Sequence, residues 1–130
     1  MNQPTIFLIE EDDDTRPLFK KMLETRNYNV TVSTSDEDAR QRVTSTPVEA
    51  DFVLINLVKS SNEDMLNAGR QIREAGKLAA PLLVIAADYD EEKQGTYDRG
   101  ADNEYIVYLE DGEELFGLLE SLKDGNSSEN

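Results

Sequence analysis

Five short apolar runs, each followed by a segment with helical spacing, most constrain what this chain can fold into. The runs are TIFLI (5–9), YNVTVS (28–33), DFVLINL (51–57), PLLVIAA (81–87) and EYIVYL (104–109). They are rich in β-branched and aromatic residues, which suit a pleated, buried surface. The first, third and fourth are apolar throughout, as expected of strands covered on both faces in a parallel sheet.

The segments between them predict helices. Residues 15–26 carry Leu18, Phe19, Met22 and Leu23 as one stripe, with Pro17 in the first turn and Asp13 or Asp14 as cap. Residues 35–46 open on SDED, where Ser35 and Asp38 have capping-box spacing. Residues 64–75 carry Met65, Ala68, Ile72 and Ala75, with Gly76 as a stop. Residues 111–122 carry Leu115, Leu118, Leu119 and Leu122. The segment 90–99 is the weakest helix: it is nearly all polar, and Gly95 inside it costs about 1 kcal/mol relative to alanine. The alternation is (βα)5, a doubly wound α/β domain over residues 1–123. The tail DGNSSEN (124–130) has no apolar residue and is expected to be disordered.

At 130 residues the chain fits one domain, and 38% hydrophobic residues suffice for a core. Thirteen Lys and Arg against 28 Asp and Glu give a net charge of −15. Such a chain cannot neutralise phosphates, so nucleic acid is excluded as a partner and basic protein surfaces or divalent cations are favoured. There is no cysteine and no histidine, hence no thiol nucleophile, no zinc–thiolate centre and no imidazole base. Any metal would be a hard, oxygen-seeking ion such as Mg²⁺ or Ca²⁺. MNQPT lacks the features of a signal peptide, and no apolar run approaches a membrane span, so a cytoplasmic location is expected.

In a doubly wound sheet, ligands sit beyond the carboxyl ends of the strands. Those positions are Glu10–Asp14, Asn56–Ser60, Ala86–Asp90 and Tyr108–Asp111. They are strongly acidic, and Lys59 is their one basic residue. Neither GxGxxG nor GxxxxGK occurs, so a nucleotide site has no support. The run IEEDDDTRP (9–17) places five carboxylates together. It is either a solvated turn beside a helix N-terminus or the seat of a cation.

These features in this order resemble the receiver domain of bacterial response regulators, over about residues 4–122. IFLIEEDDDTRPLFKKML is similar to the family's first strand, acidic pair and first helix. DFVLINL with GRQIRE resembles its third strand and helix, PLLVIAA its fourth strand, and RGADNEYIVYL the end of its fourth helix and its fifth strand. The resemblance implies a CheY-like, flavodoxin-like fold with parallel strand order 2-1-3-4-5.

It also implies a chemistry: phosphoryl transfer from a histidine kinase to an aspartate ending the third strand, assisted by Mg²⁺ on an acidic pair, a hydroxyl residue and a lysine. The acidic pair falls on Glu10 and Glu11, a candidate weak Mg²⁺ site. The acceptor position falls on Asn56, whose neutral amide cannot form an acyl phosphate. The hydroxyl position falls on Ala86 and the lysine position on Tyr108. Three of four catalytic positions are lost together, so no catalytic residue is assigned. Losing the aspartate and the lysine together leaves the local net charge at −2.

The resulting expectation is a single-domain pseudo-receiver that works by protein–protein interaction in two-component or phosphorelay signalling. Its interaction face is expected at Tyr97, Tyr105 and Tyr108, with the weak fourth helix as a partner-ordered element. Expected partners are a histidine kinase, another signalling protein, or a second copy of the chain. Two alternatives stay open: a phosphoacceptor using Glu10, Glu11 or Asp51, and a Mg²⁺ or Ca²⁺ sensor at the acidic mouth.

Overall fold

The computed structural model describes residues 3–57, 61–100 and 103–128. Its elements in chain order are β1 (Thr5–Glu10), α1 (Thr15–Thr25), β2 (Asn29–Ser33), α2 (Asp36–Ser45), β3 (Phe52–Asn56), α3 (Asn62–Gly76), β4 (Leu82–Ile85), β5 (Tyr97–Arg99), β6 (Glu104–Val107) and α4 (Glu113–Ser128). Every apolar run becomes a strand. The sheet order is β2-β1-β3-β4-β6-β5. The five parallel strands thus keep the expected 2-1-3-4-5 order, with one more strand, β5, antiparallel at the edge.

Alternation along the strands builds two cores. Ile6, Leu8, Leu54, Leu83 and Val107 face Phe19 and Leu23 of α1 and Leu115 and Leu119 of α4. Phe7, Ile9, Val53, Ile55 and Val84 face Ala39 and Val43 of α2 and Met65 and Ile72 of α3. Both faces of the central strands are dry, which is why their sequences do not alternate. At Gly69 the helix lies so close to the sheet that a Cβ would stand 2.4 Å from Leu82 Cδ1.

The caps are partly as expected. Ser35 Oγ accepts from the Asp38 N–H at 3.0 Å, as the capping-box spacing predicts. Ser61 does the same for α3, accepting from the Asp64 N–H at 3.0 Å, so that helix starts earlier than its apolar stripe. For α1 the capping side chain is Asp12, not Asp13 or Asp14: its Oδ2 accepts from the Thr15 N–H at 2.7 Å. Gly76 lies inside α3, and Lys77 takes the left-handed conformation that ends it (φ 54°). The backbone of α4 stays helical as far as Ser128, past the expected tail boundary at 124, because a nucleated helix extends at little cost without an apolar stripe.

The principal correction concerns 90–99, which is not a helix. Asp90 starts a tight turn, its carbonyl accepting from the N–H groups of Lys93 and Gln94 at 2.9 Å each. Gly95 then adopts φ +83° and donates its N–H to the Tyr108 carbonyl at 2.8 Å. Tyr97, Asp98 and Arg99 pair with Val107, Ile106 and Tyr105. The segment has no apolar stripe to bury, so tertiary packing offers a helix nothing. Pairing on the β6 edge satisfies part of its backbone instead.

Candidate functional site

Parallel register brings the last residue of β1, Glu10, beside the last residue of β3, Asn56. Glu10 is fully buried. Its Oε1 accepts from Asn56 Nδ2 at 2.8 Å, and its Oε2 from the Asp12 N–H at 3.2 Å. Burial raises its pKa above the usual carboxylate value, against the lowering effect of the Asn56 hydrogen bond. The Glu11 N–H donates to the Asn56 carbonyl at 3.3 Å, extending the β1–β3 ladder one step.

The cation within the acidic run is the chain's own. Arg16 Nε donates to the Glu10 carbonyl at 2.8 Å, and its Nη2 to the Glu11 carbonyl at 3.1 Å and to Asp13 Oδ1 at 2.7 Å. One guanidinium on the first turn of α1 therefore folds residues 10–13 onto themselves. The Asp12 carboxyl is held below its usual pKa by hydrogen bonds from Thr15. These carboxylates have structural work: Asp12 caps α1, Asp13 pairs with Arg16, and Glu10 ties β1 to β3.

The other two expected positions close the same end of the sheet. The Ala86 N–H donates to the Val107 carbonyl at 2.9 Å. With Ala87, Asp88, Tyr89, Gln94 and Tyr108, Ala86 lines an open cavity of about 220 Å³. The Tyr108 ring is buried, with Lys93 Nζ 5.3 Å from its centroid. That ammonium also donates to Asp98 Oδ2 at 2.8 Å, which raises its pKa. A lysine thus lies near the expected lysine position after all, brought there by the turn that replaces the helix. Sequence order alone could not have found it. Lys59 and Ser60 lie outside the described residues.

The expected aromatic face divides. Tyr97 is 43% exposed, whereas Tyr105 and Tyr108 are 4% and 8% exposed. The Tyr97 and Tyr105 rings meet edge to face, centroids 6.1 Å apart, and Arg99 reaches over Tyr105 at 5.7 Å. Of the three tyrosines expected on a contact face, Tyr105 and Tyr108 are thus buried and Tyr97 is exposed. Tyr89, not singled out by spacing, is 77% exposed on the loop after β4.

Receiver-type sites imply Mg²⁺, and the residues present do not fit it. Mg²⁺ needs near-octahedral oxygens with free lone pairs. Both Glu10 oxygens already accept hydrogen bonds in a buried setting, and Asn56 turns an N–H donor toward the carboxylate. Among the described residues no group of three metal-ligating side chains converges. Among them, too, no helix is long and apolar enough to cross a membrane.

No protein-family model matches the chain. It is 42% identical over 102 residues to the transcriptional regulatory protein CssR of Bacillus subtilis, which covers 78% of this chain and 43% of that protein. The chain thus spans less than half the length of this curated relative. Its structure is similar to response regulator TrrA of Thermotoga maritima, crystallised with Mg²⁺-BeF: TM-score 0.65, 20% identity, covering 92% of this chain and 99% of that one. It is equally similar to a chain in the crystal structure of histidine kinase ThkA with TrrA: TM-score 0.66, 18% identity, covering 92% and 98%. At these identities the structures establish the receiver fold.

Proposed function

We propose that this receiver-type domain acts in two-component signalling by binding protein partners and not by accepting a phosphoryl group. One observation carries the reading. The side chain ending β3, where such a domain would hold its acceptor, is the amide of Asn56, engaged by buried Glu10 at 2.8 Å. An amide nitrogen offers no anionic nucleophile, and its partner carboxylate has no open path to an incoming phosphoryl donor. The poor fit to Mg²⁺ supports the same conclusion, since phosphoryl transfer relies on metal charge to stabilise its transition state. Likeness to a response regulator crystallised with a histidine kinase supports a signalling protein as partner.

The reading in which a neighbouring carboxylate takes the phosphoryl group has less support. Glu10 is sealed, and Asp51 lies before β3, at the opposite end of the strand from Asn56, where its Oδ2 accepts from the Thr5 N–H at 2.8 Å. Incubation with acetyl phosphate and Mg²⁺, followed by intact-mass measurement, tests the proposal. The expected result is an unchanged mass. Stoichiometric gain of one phosphoryl group overturns it. A sensor of Mg²⁺ or Ca²⁺ would show itself as heat in a millimolar titration of either ion, and none is expected.

A further inference from the structure

We propose that the outer edge of β5 is a docking site for a basic, extended segment of a partner protein, which adds to the sheet as a further strand. The inference rests on reading the domain as an interaction module and names the surface and the partner chemistry.

Backbone geometry comes first. The Tyr108 N–H donates to the Thr96 carbonyl at 2.9 Å, and the Gly100 N–H to the Glu104 carbonyl at 2.6 Å. In an antiparallel pair such bonds recur at every second residue. Thr96, Asp98 and Gly100 therefore turn their backbone groups toward β6, and Tyr97 and Arg99 turn theirs outward. Among the described residues, neither the N–H nor the C=O of Tyr97 or Arg99 has a hydrogen-bond partner. These four groups match the donor and acceptor pattern of an incoming strand.

The side chains make the edge a platform. The exposed Tyr97 ring is braced against buried Tyr105. A held tyrosine offers contact area at little entropic cost.

Charge selects the occupant. The turn feeding β5 carries Asp88, Asp90, Glu91 and Glu92. Its lysine, Lys93, is already paired with Asp98. A chain of net charge −15 repels its own copy and any acidic peptide, which leaves a segment with alternating cationic side chains. A strand laid on β5 turns alternate side chains to the two faces of the sheet, and the acidic turn lies at its end.

The test uses the full chain, isotope-labelled, and three decapeptides: alternating valine–lysine, alternating glycine–lysine and alternating valine–glutamate. The valine–lysine peptide should shift the amide signals of Tyr97, Asp98 and Arg99 and slow exchange of the Tyr97 and Arg99 N–H groups about tenfold or more. The glycine–lysine peptide has the same charge but low strand propensity, and should give no such protection. The valine–glutamate peptide should not bind. Reversing two exposed turn charges, Glu91→Lys with Glu92→Lys, should weaken binding about tenfold. Tyr97→Pro removes an outward N–H at an edge position where proline is tolerated, and should abolish protection at Arg99. The charge reversal decides the matter if the proline variant does not fold. Equal protection by the glycine–lysine peptide, protection of the β2 edge at Val30 instead, or no binding overturns the proposal. A phosphoryl group gained from acetyl phosphate would overturn the functional reading and leave the edge result standing.

Discussion

Gly95→Ala separates two conformations of residues 90–99 by the sign of its effect. In a helix, replacing an interior glycine by alanine stabilises by about 1 kcal/mol. In the structure Gly95 holds φ +83° at the last step of the turn into β5. An L-residue there takes on strain of about 1–2 kcal/mol. An added Cβ would also stand 2.8 Å from Glu110 Oε1. That oxygen is the far end of a flexible side chain, so it moves away and adds little. The expected result is a loss of about 1–2 kcal/mol, read from the midpoint of urea unfolding at unchanged slope. Amide exchange should show the loss concentrated in Tyr97–Arg99. Because β5 is an edge element joined to the rest only through β6, a local opening short of global unfolding can absorb part of the penalty. Higher stability in Gly95→Ala would refute the hairpin and favour a helix over 90–99, and the docking edge would go with it.

Three further outcomes follow from the core and the site. Glu10→Gln removes a buried charge and keeps an acceptor for Asn56, but its amide turns a donor toward the Asp12 N–H in place of the second oxygen, so the two effects offset and stability at neutral pH should change by less than about 1 kcal/mol. Burial raises the Glu10 pKa, so the charge is a cost above that raised value and absent below the usual 4.5. The gain from removing the charge should therefore vanish in melts near pH 4, so the variant loses ground to wild type on acidification, and a difference that stays the same at pH 7 and pH 4 would contradict this. Arg70 Nε and Nη2 hold both oxygens of buried Glu104 at 2.7 and 2.8 Å, with Arg73 at 3.4 Å. Arg70→Met should cost about 2 kcal/mol, moderated because Arg70 is partly exposed and Arg73 remains. The Glu104 pKa is lowered, chiefly by the hydrogen bonds from Arg70, so this stability is complete above 4.5 and fades as pH falls through the depressed value. A gap between wild type and variant that widens on acidification would be inconsistent with it. Gly69→Val should destabilise by about 3 kcal/mol or more, since its first carbon already collides with Leu82 and Ile55; an unchanged melting temperature would mean α3 does not lie this close to the sheet.

Periodicity exposed the five parallel strands and the four helices because each buries a face, and burial writes a pattern into the chain. Ser35 was legible as a cap for the same local reason. The turn into β5 left no such trace. The bonds that anchor it, from the Gly95 N–H to the Tyr108 carbonyl and from the Gln94 side-chain amide to the Leu109 carbonyl, span more than ten residues, and polar residues there are compatible with loop, edge strand or exposed helix alike. The glycine inside the segment was the single local sign against a helix. At the site, chain order placed Glu10 and Asn56 together correctly. It could not reveal that Arg16 would reach back across the acidic run, since an arginine on a first helical turn has many possible directions.

The two edges of the sheet are finished differently, and the difference bears on where a partner docks. At β2 the Asn29 N–H donates to the Pro4 carbonyl, so Asn29, Thr31 and Ser33 turn their backbone toward β1, and Val30 and Val32 turn theirs outward. That edge is blunted: Arg42 of α2 donates to the Val32 carbonyl and to Ser33 Oγ, each at 3.2 Å. A guanidinium over the strand blocks backbone pairing and repels a cationic segment. At β5 no helix side chain reaches the outward groups among the described residues. Arg99 leans over Tyr105, and Lys93 is occupied with Asp98. A sheet that exposed both edges alike would say nothing about recognition. Here a basic side chain occupies the Val32 carbonyl on one edge, whereas the Tyr97 and Arg99 backbone groups beside the acidic turn are open on the other, so backbone geometry and charge favour the same surface.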